Sequence, residues 1–348
     1  MMASERTCPS LMAAMLLIGF SNQAFGQANC ALRNPDRQIY KIFPEATNYR
    51  TLESEVNTEN RPTLENEIGS PLAPTDLGTH SAYVVLNGTV PIGFVHARTE
   101  IGSRGSIELV WAMDIDLTIS DFRVQRSRER QTNAIKSDSF RGELVGRNLT
   151  DLRDLLTSGN DDIDRDTLNV PANAAGIAHT IVLCALKTRV ITEYVFQDAI
   201  VSARMLGHAH REFADVGKVI RVRTPFSSDV LESIRQKLGR DTDQADLSTI
   251  DVLRVRVANG SEIGILVRAD WKAYPENPEC WWVVLGDGTI RRATIAGRKY
   301  AAVRQEFQGF QERKLDAIDD GDETESTPSG RRFAREVLAI AAAIGGPD

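Results

Sequence analysis

The chain has 348 residues, which is enough for one large domain or two ordinary ones. Its content of 42% hydrophobic and 26% charged residues is typical of a soluble globular protein with a sizeable core. The formal net charge of -7 argues against nucleic-acid binding, which favours a basic face. We interpret the short basic cluster at residues 126–130 as a solvated surface.

The first 28 residues are typical of a secretory signal peptide. Arg6 precedes a short apolar stretch at residues 11–20, and small residues follow at the spacing that a signal peptidase recognises, as Ala24-Phe25-Gly26 or Gly26-Gln27-Ala28. The apolar stretch is shorter than the ~20 residues of a comfortable membrane span. We therefore expect an exported protein in the periplasm or another extracytoplasmic compartment. The alternative is an uncleaved N-terminal membrane anchor.

Residues 29–80 are predicted to form an N-terminal arm. A helix is expected at residues 35–43, where Pro44 ends it, and the polar stretch at 51–79 is expected to be loop with short extended pieces. An antiparallel meander of four strands follows, because Asn87-Gly88 between two apolar runs is a strong hairpin signal. The predicted strands cover residues 82–86, 92–97, 107–113 and 119–126.

Helical patterns follow this meander, and the whole order of elements then returns. Helices are predicted at residues 137–144 and 149–156, and an acidic loop at 160–166 leads to a long helical pattern over 171–208. A bridging helix is predicted at 229–238. The second set comprises strands at 252–257, 263–267, 281–285 and 289–295, a helix at 303–310, an acidic loop at 316–325 and a final helix at 330–344.

Individual residues also match between the two halves. The pairs are Asn87-Gly88 with Asn259-Gly260, Ile92-Gly93 with Ile263-Gly264, Trp111 with Trp282, Phe140-Arg141-Gly142 with Phe307-Gln308-Gly309, and Gly176 with Gly330. An offset of about 170 residues predicts an internal duplication, and the alternative is a chance similarity of two patterns. The expected fold class is α+β, with two similar units, each an antiparallel β-meander packed against helices. The expected division is a signal peptide (1–28), a first domain with its arm (29–208), a bridging segment (209–250) and a second domain (251–348).

The first unit resembles the FMN-binding domain in peripheral subunits of sodium-pumping NADH:quinone oxidoreductases and related electron-transport complexes. The similarity rests on Ile92-Gly93-Phe94-Val95, the strand ends at 113–116 and 119–124, Phe43-Pro44-Glu45-Ala46, and the Phe-x-Gly pattern in 140–146. It covers residues 30–196, and a weaker second copy covers 252–343.

The resemblance implies FMN as a cofactor and a membrane redox complex as a partner. It further implies that the ring is contacted by Arg126, Glu129, Phe140, Arg141 and Gly142, and that the phosphate is contacted by Gly176, His179 and Thr180. In the family a Thr at the start of the last helix is esterified to the FMN phosphate. Ala178 and Arg332 stand at that position in the two copies, so any flavin is expected to be non-covalent, with Arg331 or Arg332 as a further phosphate partner.

Other chemically active residues give weaker signals. Cys184 is expected in the core, whereas Cys30 has two open interpretations, a disulfide with Cys280 or lipid attachment. The absence of C-x-x-C excludes thioredoxin-type and c-type haem motifs. His208 and His210 are interpreted as a polar helix end rather than a metal site.

Two functions therefore stay open from the sequence. One is a flavin-binding module outside the cytoplasm that is linked to electron transfer, in which the flavin carries the redox chemistry. The other is a non-catalytic binding or scaffold module that has kept the fold and lost the cofactor. No catalytic residue is assigned, because the sequence contains no nucleophile–base constellation, no G-x-S-x-G and no H-E-x-x-H.

Overall fold

The computed structural model describes residues 34–156, 163–222, 250–270, 279–295 and 311–313. The first unit is built on a five-stranded antiparallel sheet whose strands are neighbours in chain order. Its strands are β1 (Asn48–Val56), β2 (Gly78–Asn87), β3 (Val90–Gly102), β4 (Gly105–Met113) and β5 (Ile119–Arg126). The four strands predicted from the sequence are β2 to β5. The predicted number of four strands in this sheet was wrong, because β1 lies in the polar stretch that was expected to be arm and loop.

Helices cover the first sheet. They are α1 (Asp36–Ile42), α2 (Arg61–Ile68), α3 (Thr132–Ile135), α4 (Asp138–Leu144), α5 (Leu149–Leu155), α6 (Arg165–Leu168), α7 (Ala175–Val195) and α8 (Gln197–Glu212). Local capping sets two of the starts: Ser137 accepts the Phe140 N–H at α4, and Asn148 forms a capping box with Asp151 at α5. The long helical pattern over 171–208 is thus two helices that meet at Phe196.

Helix α7 is the central helix of the first unit. It packs against β3, α5 and α2, and its residues from Ile177 to Ile191 contribute to the main hydrophobic core. Within the described residues, Ala172–Val195 is the one helical segment whose length and composition would allow a membrane span, and 72% of its apolar window is buried inside the fold. Such burial is typical of a core helix.

The second unit repeats the antiparallel meander. Its sheet has the order β10-β9-β8-β7-β6, with β6 (Lys218–Val222), β7 (Ile250–Arg256), β8 (Glu262–Asp270), β9 (Glu279–Leu285) and β10 (Ile290–Ile295). The expected fold class, two similar α+β units with meanders packed against helices, is therefore confirmed. Strand β6 lies in the range expected to be a bridging segment. The predicted elements at 229–238, 303–310, 316–325 and 330–344 lie outside the described residues.

A close contact is repeated in the two units and supports their equivalence. A Cβ at Gly93 would lie 2.6 Å from both the Met113 carbonyl oxygen and the Phe43 ring. A Cβ at Gly264 would lie 2.4 Å from the Val284 carbonyl oxygen and 2.5 Å from the Phe213 ring. Each glycine therefore lets an aromatic ring, which follows a helix in the chain, approach the second strand of the hairpin closely.

Strand register supports the same equivalence. In both units the strand register of the first hairpin shifts directly after the residue that pairs with the glycine. Val85 pairs with Gly93 and the shift lies between Val85 and Leu86, whereas Val255 pairs with Gly264 and the shift lies between Val255 and Arg256. Trp111 pairs with His96, three residues after Gly93, and Trp282 pairs with Val267, three residues after Gly264. The two tryptophans thus occupy the same position in the two sheets.

Helix α8 belongs to both units. Phe196, Ile200 and Ala203 belong to the core of the first unit. Val201, Met205, Ala209 and Phe213, spaced four residues apart, pack in the second core with residues of β7, β8 and β9. Since Phe213 follows α8 as Phe43 follows α1, α8 plays for the second unit the role that α1 plays for the first.

Candidate functional site

Arg126 and Glu129 lie where the β3–β4 hairpin meets the segment after β5. Arg126 Nη1 is 3.5 Å from Oε1 of the buried Glu108. Glu129 is itself buried, and its two carboxylate oxygens accept hydrogen bonds from the Arg104 N–H at 2.6 Å and the Ser103 hydroxyl at 2.7 Å. Both residues therefore fasten the tip of the hairpin to the chain that follows the sheet.

Phe140, Arg141 and Gly142 lie on α4, against the middle of β5. The Phe140 ring is fully buried and meets Phe122 edge-on at 6.1 Å between ring centroids. The Arg141 guanidinium is partly exposed and lies 3.5 Å from carboxylate oxygens of both Asp121 and Asp138. Gly142 is exposed, and a Cβ there would meet no atom within 4 Å.

Gly176, His179 and Thr180 lie in the first two turns of α7. Gly176 is exposed and His179 is partly buried, and Thr180 Oγ1 donates a hydrogen bond to the Gly176 carbonyl at 3.0 Å. The first turn carries no acidic residue, and Ala174 provides no side-chain cap. Between them, Ala178 is fully buried in the main hydrophobic core.

The described contacts therefore place the predicted site residues in three groups. Asp121, the partner of Arg141, and Arg126 are five residues apart along β5, about 16 Å in an extended strand. The α7 group makes its described hydrogen bond within its own helix. Arg331 and Arg332 lie outside the described residues.

A buried charge cluster, which the sequence did not reveal, lies between β3 and α7. Arg98 and Asp76 are fully buried and 2.6 Å apart, and Lys187 Nζ lies 3.0 Å from Asp76 and 3.3 Å from Glu100. Although burial alone would raise it, the charges of Arg98 and Lys187 hold the pKa of Asp76 below its usual value. Two cations thus face two carboxylates, which keeps the cluster neutral overall.

Two histidines and a cysteine complete this cluster. His80 Nε2 donates to the Asp76 carbonyl at 2.8 Å, and His96 Nδ1 lies 2.9 Å from the Thr192 hydroxyl. Burial, aided by Arg98, lowers the pKa of His80 to about 4, and burial holds the pKa of His96 well below its usual value. Burial and then Glu100 raise the pKa of the Cys184 thiol to about 11, so this thiol is not a nucleophile at neutral pH.

A second polar cluster lies between the units, and we call it the α8 junction. His208 is almost completely buried; its Nε2 lies 2.8 Å from Asp116 Oδ1, and Arg211 Nη2 lies 2.7 Å from its Nδ1. Because arginine only donates, Nδ1 is the accepting nitrogen, and the proton of a neutral ring is on Nε2, beside Asp116. Burial is the first cause that lowers the pKa of His208, so a neutral ring fits the site.

Trp281 of β9 closes the α8 junction from the second unit. Its ring stacks on His208 with 3.7 Å between centroids, and the Arg204 guanidinium lies 5.4 Å from its centroid. Arg204 also donates to the Ile115 carbonyl of the first unit at 2.8 Å, and Arg292 of β10 lies 2.5 Å from Glu212. His208 thus lies at a polar end of α8, as the sequence suggested, but the second sheet covers that end.

The comparisons with known proteins give no family for this chain. A scan against protein-family models produces no match, and a search of curated proteins produces none. Within the described residues, no group of three or more His, Cys, Asp or Glu side chains is arranged to hold a metal ion.

Proposed function

We propose that the chain is a non-catalytic binding or scaffold module with an FMN-binding-like architecture and no covalently attached flavin. The observation that carries the proposal is the position of Ala178, where the family has its flavin-carrying Thr. Its side chain is fully buried among core residues of α7 and its neighbours. Even a hydroxyl placed there would face the core, whereas an ester to a phosphate needs an accessible oxygen.

The residues with expected ring contacts support the same proposal. Glu129 uses both carboxylate oxygens to hold the hairpin tip, and Phe140 is enclosed by Phe122 and the core. Neither side chain is available to a flavin without breaking contacts that stabilise the first unit. Since buried carboxylates are costly to leave unpaired, such a rearrangement is unfavourable.

The join between the units supports the scaffold part of the proposal. Helix α8 contributes to both hydrophobic cores, and Trp281 and Arg292 reach it from the second sheet. A module in which two sheets hold one helix presents its outer surfaces in a fixed relation. That property suits a protein that positions partners better than one whose units move during a reaction cycle.

Non-covalent FMN binding is the second candidate, and the start of α7 favours it. That helix has 21 residues and no acidic side chain in its first turn, and its second residue, Gly176, is exposed. The positive end of a helix dipole attracts phosphate, and Thr180 lies one turn farther on. In this case an extracytoplasmic membrane redox complex would be the partner that exchanges electrons with the flavin.

Flavin absorbance of the purified protein distinguishes the two candidates. We expect a colourless protein whose intrinsic fluorescence does not respond to added FMN. Yellow colour that appears in the supernatant after acid precipitation would instead establish non-covalent flavin, and yellow colour in the pellet would contradict the argument from Ala178. If FMN does bind, Thr180→Val is expected to weaken it, and the exposed Arg37→Gln serves as a control far from α7.

A further inference from the structure

The β3–β4 hairpin ends in a basic surface, and only Arg126 and Glu129 of that region were expected to contact a flavin ring. Gly102 pairs with Gly105, so Ser103 and Arg104 form a two-residue turn. Four arginines belong to this region: Arg104 in the turn, Arg126 at the end of β5, and Arg128 and Arg130 just after β5. We call these four arginines and Ile101 the basic tip.

Glu129 makes the basic tip a fixed surface. It lies between Arg128 and Arg130 in the sequence, and its carboxylate binds the backbone of Arg104 and the side chain of Ser103. The fit is tight, because a Cβ at Gly102 would lie 2.5 Å from Glu129 Oε1. The buried carboxylate therefore draws its two flanking arginines to the turn.

The charge of the basic tip is positive, in contrast to the chain as a whole. Arg104, Arg128 and Arg130 are exposed and form no ion pair within the described ranges. The two acidic side chains nearby are buried and already have partners. Glu129 binds the turn, and the fully buried Glu108 lies 3.5 Å from Arg126. On a chain with a net charge of -7, this is a local reversal of sign.

An exposed aliphatic side chain accompanies these arginines. Ile101 is 57% exposed, more than Tyr40 at 41% or Tyr194 at 37%. Its strand neighbours on the same face, Thr99 and Ala97, are buried, so the apolar side chain emerges only at the end of the hairpin. An exposed apolar residue at a hairpin end that also carries arginines matches the interfacial layer of a bilayer, which offers phosphates above an apolar interior.

We propose that the basic tip docks this protein on an anionic lipid surface. Arginines near such a surface gain electrostatic attraction that falls off within a Debye length, and Ile101 inserts below the headgroups. A lipid surface fits better than a protein partner, because the basic tip is a two-residue turn with a few residues beside it, whereas stable protein interfaces need a broad complementary area. This proposal is an alternative to the interpretation of residues 126–130 as a solvated surface.

Vesicle co-sedimentation tests the proposal with the protein purified as the cell produces it. We expect binding to phosphatidylcholine vesicles that contain phosphatidylglycerol, and weak binding to phosphatidylcholine alone. The double variant Arg128→Gln with Arg130→Gln is expected to lose about tenfold or more in affinity for the anionic vesicles. Raised salt should reduce binding of the wild type more than binding of this variant.

Matched controls separate the basic tip from general charge and from the N-terminal apolar stretch. Arg37→Gln with Arg50→Gln removes the same charge from exposed positions on α1 and on β1, the edge strand opposite β5, and should bind like the wild type. Ile101→Ser keeps all charges and should weaken binding severalfold. Equal binding to both vesicle types, or equal losses in the two double variants, would overturn the proposal. Because residues 1–28 are the same in the wild type and in every variant, they cannot cause a difference between these proteins.

Discussion

At the scale of single residues, the turn between β4 and β5 contains a carboxyl group, Asp114, whose ionised form is disfavoured by its surroundings. Asp114 Oδ1 accepts the N–H groups of Asp116 and Thr118, both at 2.9 Å, and so shapes the turn. Burial, and then the nearby charge of Asp116, raise the pKa of Asp114 to about 6. The group therefore shapes the turn as an acceptor, and its ionised form destabilises the fold.

Replacing this carboxyl group should change the pH dependence of stability. Asp114→Asn retains the accepting oxygen and removes the charge, so we expect equal stability to the wild type below pH ~4 and a relative gain as pH rises through ~6. The sign follows because the folded pKa lies above the unfolded value, and protonation favours the folded state. The expected gain is on the order of 2 kcal/mol, measured by urea unfolding between pH 4 and pH 8.

Asp116 provides the control of opposite sign. Although burial alone would raise it, His208 and then Arg211 and Arg204 hold the pKa of Asp116 well below its usual value. Its ionised form therefore stabilises the fold, and this stability is lost as pH falls. Asp116→Asn should destabilise the protein at pH 7 and have a smaller effect in acid. A parallel response of the two variants would contradict the assignment of charges around the α8 junction.

Residue identity alone allowed some of these environments to be predicted, but not the polar ones. Cys184 was expected in the core from its apolar neighbours, and it is fully buried there. Arg98 and Lys187 are also buried, because Asp76 and Glu100, distant in sequence, neutralise them. Pairing of this kind depends on long-range contacts, so a helical or strand pattern that includes a charge does not predict it.

At the scale of elements, the strands that were predicted and those that were missed differ in burial. Strands β2 to β5 and β7 to β10 carry apolar or aromatic runs and hairpin signals, and the sequence predicted the central part of each. Strand β2 begins four residues before its predicted start, and β3 ends five residues after its predicted end. The missed β1 is an edge strand whose residues are mostly exposed or partly buried. An edge strand with one covered face lacks the continuous apolar signal on which such predictions rely. The missed β6 is the corresponding edge strand of the second sheet.

The two close glycine contacts should be equally intolerant of a methyl group. Gly93→Ala and Gly264→Ala each place a Cβ within 2.6 Å of a backbone carbonyl oxygen and an aromatic ring, so backbone must shift. We expect each variant to lose about 1–3 kcal/mol of unfolding free energy. Thermal unfolding of both variants, with the ring substitutions Phe43→Leu and Phe213→Leu in the same series, measures this loss.

Gly142→Ala is the control for these substitutions. Gly142 lies within α4, where the new methyl group would meet no atom within 4 Å, so alanine should be neutral or stabilise by up to ~1 kcal/mol. If Gly93→Ala were as stable as this control, the aromatic ring would not be packed on the strand, and the equivalence of the two units would lose its best local support.

At the scale of the whole molecule, the duplication has an asymmetry that the sequence did not reveal. The sequence assigned α8 as far as residue 208 to the first domain, and its last four residues with those that follow to a bridging segment. The helix instead has two apolar faces, one for each core, and its polar residues meet Asp116 of one unit and Trp281 of the other. A periodic pattern predicts that a helix has a buried face, but it does not say which sheet covers it.

The two tryptophans of β9 allow this sharing to be tested. Trp281 faces α8, where it packs in the second core and stacks on His208, whereas Trp282, the next residue, points to the opposite face of the strand. Both are buried, so each substitution by alanine should cost on the order of 3–5 kcal/mol. Only Trp281→Ala should release α8 from the second sheet while its contacts with the first unit remain.

Hydrogen exchange of the α8 amides measures that release directly. In Trp281→Ala we expect faster exchange across residues 201–213 than in Trp282→Ala at matched overall stability, because local opening lowers protection of the freed segment first. The first unit should stay protected in both variants, since its core is built on α7. Equal protection of α8 in the two variants would mean that the helix belongs to the first unit alone, and that the second sheet only rests against it.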